Sequence, residues 1–311
     1  MRHEQIYSGY RVGRREGGPN CERFERQIER YYSGICRVFN SATSGLHAGL
    51  VAAGIRQADK VVVPAYTMSA SASAILHAGA TPTFWDIGED YCLDWESLKV
   101  GGPIDCAAIV LVHLFGHHSS VPNWFPEGIP IIHDCAQSPS IRPNGRRRND
   151  VWVYSLNQHK IITTGEGGYV LVWTKRLADA LHAVRNHGEC FTDDVLGWNY
   201  RMTEMQAELG IKEFGELDLR LHVRREWVDE TLGELTDTEA NWEVNCANRD
   251  WFVLPIRYRG DRDAFARRIG GRVGYHKPLY KLPYYAKRHP GLRLPKIEEI
   301  ERNLVIIDPL I

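Results

Sequence analysis

The sequence predicts an α/β fold, with a large domain over residues 1–215 built on a mostly parallel central sheet flanked by helices and a small C-terminal α+β domain over 216–311. Two patterns carry this reading. Apolar runs such as Val61–Val63 and the pair Ile131 and Ile132 are continuous, as strands covered on both faces are. Between such runs lie segments whose apolar residues recur at three and four, and this strand–helix alternation marks βαβ units around a parallel sheet. With 311 residues, 43% hydrophobic and 25% charged, the chain suits one large core plus a smaller one. A net charge of -1 gives no basic excess that would point to nucleic acid or an anionic membrane. Seven cysteines, an odd number with no C-x-x-C pair, fit free thiols in a reducing compartment, so cytoplasm is the expectation. MRHEQIYSGYR lacks the apolar core of a signal peptide, and the longest apolar run, about Ala107 to Phe115, is too short to cross a bilayer.

Residues 1–19 read as an irregular polar arm. Phe24, Ile28 and Tyr31 then stand at i, i+4 and i+7 of an amphipathic helix that Asn20 can cap and Gly34 can end. In NSATSGLHAGLVAAGI, Ser41 or Thr43 can cap a helix facing inward through Leu46, Leu50 and Ala53, with Gly54 closing it. Such a start is a ready anion site, because the first N–H groups lack helical acceptors and the dipole adds positive charge; plain capping is the alternative. VVVPAYTMSASASAILHAGATPTFWDI reads as strand, loop, helix and strand, the helix buried through Ala72, Ile75 and Leu76 and ended by Gly79.

The run AAIVLVHLFG is a further strand. His113, His117 and His118 follow closely on one another, but no carboxylate or cysteine completes a metal-ligand spacing. In IPIIHDCAQS, Asp134 falls at the carboxyl end of a strand, where open α/β sheets gather their ligands; a turn or cap role is the plain alternative. GRRRND reads as a solvated basic turn, with a phosphorylated ligand as the sharper alternative.

VWVYSLNQHKIITTGEGG begins with alternation suited to a half-buried strand and breaks into polar residues and glycine. Lys160 follows Ser155 by five residues, and no acidic residue precedes Glu166 to pair it locally. It could be a nucleophile or simply a surface lysine. GYVLVW is a strand, and Leu177, Leu181 and Val184 lie along the next helix. Past Gly215 a long helix through Leu217, Leu221, Val228 and Leu232 leads to WFVLPIRY, strand-like, and DAFARRIG, helix-like.

The run SLNQHKIITTGEGG resembles the lysine segment of the DegT/DnrJ/EryC1/StrS aminotransferases, pyridoxal-phosphate (PLP) enzymes that aminate keto-sugars and keto-cyclitols. The likeness extends from about Asn20 to Pro309 and includes RNHG and GWNYRMTEMQAELG. It implies the fold type I architecture of PLP enzymes, with Lys160 forming the Schiff base to the cofactor. It further implies that Thr43, Ser44 and Ser155 hold the cofactor phosphate, that Asp134 pairs with the pyridinium nitrogen and that Gln137 contacts the ring oxygen. Asn157 matches a position near the active site, and Asn199 the segment that reaches a neighbouring subunit's phosphate in a homodimer. The family's V-H-L-[FY]-G segment carries no metal. Two departures stand out: Met68 occupies the place of the ring-stacking aromatic, and in Tyr275-His276-Lys277-Pro278-Leu279-Tyr280 the family's leading His-Tyr is exchanged and its final histidine missing.

The resemblance implies amino transfer from glutamate or glutamine to a nucleotide-linked keto-sugar, or alternatively to an inosose-type keto-cyclitol. A related PLP dehydratase branch replaces the lysine with histidine, and Lys160 argues against it. A catalytically silent cofactor-binding protein is the reading that Met68 and the altered 275–280 segment would favour.

Overall fold

The computed structural model describes residues 18–101, 105–143, 147–188, 196–235, 241–245 and 249–309. The arm expected over 1–19 lies outside these except for its last two residues. The elements run α1 (Pro19–Tyr32), β1 (Ile35–Phe39), α2 (Ala42–Ala52), β2 (Lys60–Pro64), α3 (Ser69–His77), β3 (Thr81–Trp85), α4 (Trp95–Val100), β4 (Ala108–Val112) and β5 (Ile131–Asp134). They continue as β6 (Val151–Ser155), β7 (Gly168–Val172), α5 (Lys175–Arg185), α6 (Glu204–Gly215), α7 (Leu217–Leu235), β8 (Trp242–Glu243), β9 (Leu254–Tyr258), α8 (Arg262–Arg268), β10 (Arg272–Val273), α9 (Pro283–Ala286), α10 (Pro295–Asn303) and β11 (Leu304–Ile307).

Seven strands form one sheet in the order β1-β7-β6-β5-β4-β2-β3. The pairs from β3 across to β6 are parallel, and β7 joins antiparallel to β6 and to β1. A second, antiparallel sheet has the order β10-β11-β9-β8. The α/β class and the mostly parallel sheet are as the sequence predicts.

Local expectations hold with instructive exceptions. Ser41 caps α2 by accepting from the Ser44 N–H at 3.1 Å, and Gly54 takes a left-handed φ of 90° beyond its end. Strand β6 is not half-buried: Val151, Val153 and Tyr154 are all buried, because α2 covers one face and the Tyr32–Tyr154–Tyr169 aromatic cluster the other. Helix α1 starts at Pro19, whose missing N–H costs nothing there, and Asn20 is not its cap. Glu204, from the start of α6, accepts from the N–H groups of Asn20 and Cys21 at 2.8 and 3.2 Å. A side chain 184 residues away supplies this cap. The helix also ends at Ser33, in the left-handed region at φ 59°, rather than at Gly34.

Arg147 likewise leaves the solvated role expected of GRRRND, of which residues 145–146 lie outside the described ones. It donates to Asp150 at 3.1 Å and to the carbonyls of Pro126 and Ile129 at 3.0 and 2.6 Å. No helix of the described residues is long and apolar enough to cross a membrane.

Candidate active site

Parallel strands bring their carboxyl ends to one edge, and the register sets Val112, Asp134 and Val153 side by side on β4, β5 and β6. Over this edge lies a cavity of about 420 Å³. Thr43, Met68, Asp134, Gln137, Ser155, Asn157 and Lys160, all singled out from the sequence, line it.

At one side the first turn of α2 meets the end of β6. Ser155 is opposite Gly168 on β7, and a Cβ at residue 168 would come within 2.6 Å of the Ala42 nitrogen and 2.8 Å of the Ser41 carbonyl carbon. Only glycine lets the helix end approach so closely. Gly45 and Gly49 do the same further along, where side chains of Val170 and Val151 lie within 2.9 Å of a built Cβ. The result is a cradle of the first turn of α2 and the hydroxyls of Ser41, Thr43 and Ser155, suited to a phosphate group. The Ser44 side chain is not in the lining; its hydroxyl donates to Asn40 Oδ1 at 2.6 Å.

Asp134 is buried at 6% exposure and accepts from Ser71 Oγ at 2.8 Å and from the Ala136 N–H at 3.2 Å. Burial raises its pKa, and the Ser71 hydroxyl, the Ala136 N–H and the Lys160 charge all oppose that rise. Lys160 sits in the loop after β6, its N–H donating to the Asn157 carbonyl at 2.9 Å. Burial pulls its amine below the ordinary lysine range while the Asp134 carboxylate pushes it back up. Each group thus feels the other across one cavity. Glu166 is no partner to Lys160; it accepts from Asn157 Nδ2 at 2.8 Å and so ties the two ends of the lysine loop together. The loop also closes through Leu156 N–H to Gly167 O at 2.9 Å.

Gln137 Oε1 accepts from the Phe115 N–H at 2.6 Å, and its Nε2 donates to the Tyr275 hydroxyl at 2.7 Å. Met68, 53% exposed at the start of α3, is on the cavity rim and is not core filling. Asn199 is exposed and outside the cavity lining, its carbonyl accepting from Asn40 Nδ2 at 3.3 Å.

Sequence reasoning missed several lining residues. His159 left no local signal, and Tyr275 stood out only as a departure from the family pattern, since the fold alone brings it over the sheet edge. His113 was weighed only as a metal ligand. It is buried against the cavity and hydrogen-bonded to His133 at 3.0 Å, and His133 in turn reaches Asp150 at 3.3 Å.

A phosphate cradle, a buried carboxylate and a lysine of lowered pKa around one cavity, on this sheet, define an α/β enzyme built for pyridoxal-phosphate chemistry. The profile of the DegT/DnrJ/EryC1/StrS aminotransferase family matches residues 6–308. The chain is 26% identical to GDP-perosamine synthase of Escherichia coli O157:H7, covering 93% of this chain and 88% of that one. It is 32% identical to the UDP-4-amino-4,6-dideoxy-N-acetyl-beta-L-altrosamine transaminase of Campylobacter jejuni, over 89% of this chain and 81% of the other. Among solved structures, S. venezuelae DesV superposes with a TM-score of 0.82 at 25% identity, covering 93% of this chain and 84% of that one. The chain belongs to the DegT/DnrJ/EryC1/StrS aminotransferase family and is a PLP-dependent aminotransferase.

Proposed function

We propose that the cavity holds PLP between Lys160 and Asp134 and that the enzyme moves an amino group from glutamate or glutamine to a nucleotide-linked keto-sugar. The carrying observation is that these two side chains, 26 residues apart in sequence, line one cavity and shift each other's pKa. When bound, the cofactor supplies an electron-poor ring that accepts the electron pair left on the substrate carbon.

The chain's own groups divide the remaining work. Thr43, Ser155 and the first N–H groups of α2 grip the phosphate, and Ser44 contributes through the turn it helps to fix. Asp134, held by Ser71 and Ala136, keeps its carboxylate on the ring nitrogen, and Gln137 offers its Nε2 to the ring oxygen. Lys160 Nζ, its pKa lowered by burial, holds the cofactor aldehyde carbon and, once released, takes up and returns the substrate proton. Met68 covers a ring face with a polarizable thioether. Asn157 sets the lysine loop.

We also infer a homodimer in which the exposed Asn199 reaches the partner's phosphate. Support comes from exposed apolar residues four apart on two helices, Met205 and Leu209 on α6 and Leu219 and Val223 on α7. The five cysteines among the described residues are free thiols, which supports a cytoplasmic location. The names of the two relatives, one a GDP-sugar and one a UDP-sugar enzyme, support the nucleotide-sugar reading.

A panel of nucleotide-linked keto-sugars and keto-cyclitols, assayed with glutamate and glutamine, tests this reading. Donor-dependent amination of a nucleotide sugar is the expected outcome. Amination of a cyclitol alone would overturn the substrate assignment, and a coloured protein whose visible band ignores every donor would overturn the enzymatic one.

A further inference from the structure

The exchange of the first two residues in the 275–280 segment has a structural counterpart. Tyr275 enters the cavity lining, whereas His276 is exposed. The backbone around it is pinned: the Tyr275 N–H donates to the buried Tyr66 hydroxyl at 3.2 Å, and the Leu279 N–H donates to the Ala65 carbonyl at 2.8 Å. The Phe115 ring packs edge-on against the Tyr275 ring at 5.1 Å between centroids. The phenol is therefore held in place before any ligand arrives.

Its hydrogen bonding follows from donor arithmetic. A backbone N–H can only donate, so the Phe115 contact fixes the Gln137 amide with its oxygen toward Phe115 and its NH₂ toward Tyr275. The Tyr275 oxygen must then accept from Gln137, which leaves its own proton uncommitted to that contact. Burial pushes its pKa up to about 12, against the opposing effect of the Gln137 bond, so the proton stays on near neutral pH. Gln137 keeps a second amide hydrogen as well. The planar amide holds that second hydrogen roughly 120° from the first, so the phenol proton and the second amide proton are separate donors at the cavity wall.

We propose that Tyr275, held and oriented by Gln137, is a ligand-contacting donor whose phenol proton bonds a carbonyl or oxyanion oxygen of the molecule in the cavity. The inference rests on the aminotransferase reading above, and the oxygen belongs either to PLP or to the keto substrate. Specificity at this mouth is carried by a phenol.

Tyr275→Phe removes the proton and keeps the ring. If the oxygen is the cofactor's, the apo-protein's Kd for PLP, read by fluorescence titration, rises roughly tenfold, and the pH midpoint of the visible band of the loaded protein moves. If it is the substrate's, Kd and band stay put and KM for the keto acceptor rises roughly tenfold with kcat little changed. A variant whose PLP Kd, band midpoint and acceptor KM all stay within twofold of the parent overturns the proposal, whether or not its melting temperature falls. A parent protein that binds no PLP overturns the underlying reading instead.

Discussion

Two influences meet at Lys160: burial favours its neutral amine, and Asp134 favours the ammonium. Because desolvation is the larger, apo-protein labelled with trinitrobenzenesulfonate and mapped by peptide should modify Lys160 with a pH midpoint below the ordinary lysine value. Asp134→Asn removes the charge that holds the proton on, so the midpoint should fall further. A midpoint at or above the ordinary value, or an upward move in the variant, would contradict this electrostatic account. At this scale the sequence was most informative: residue type and local company marked Lys160 and Asp134, the family resemblance added Thr43, Ser155 and Gln137, and the fold gathers all of them at one cavity. The place of Tyr275 in the cavity wall and the His113–His133–Asp150 chain were not legible, because no local pattern announces which side chains of separate strands and loops will meet.

The element that positions most of this chemistry is α2. Its first turn can face a phosphate only because β7 begins with Gly168, where any Cβ would strike the backbone at Ala42, Ser41 and Tyr154 between 2.6 and 2.8 Å. Gly168→Ala should therefore lift the helix end, lowering stability by about 1–3 kcal/mol in urea unfolding and weakening PLP affinity in the same protein. Unchanged affinity with unchanged stability would mean that the cradle is not so closely fitted. Helix spacing and the Ser41 cap were legible because they are local. The cap of α1 was not, since Glu204 arrives from α6, and the two-sided burial of β6 was not, since both covering layers come from elsewhere in the chain.

For the whole molecule, residue 215 falls between α6 and α7, and the strands of the second sheet lie beyond it in the chain. The apolar core nevertheless runs across that line: Leu279, Ile297, Ile300 and Leu304 pack in the same cluster as Val63, Val110 and Ile132 of the main sheet. We propose that the C-terminal unit, so anchored, presents Tyr275 to the cavity as a fixed wall. The apolar faces of α6 and α7 argue for a partner, so sedimentation equilibrium of the PLP-loaded protein should return twice the 35.5 kDa chain mass, and a monomer would contradict the shared site. The central claim, that one lysine and one carboxylate hold a single PLP molecule between them, is most directly tested by borohydride reduction of the loaded protein followed by peptide mass mapping. The account predicts one phosphopyridoxyl group, on Lys160, and none in Lys160→Ala; a stable adduct on another lysine, or PLP bound at stoichiometry with no adduct, would contradict it.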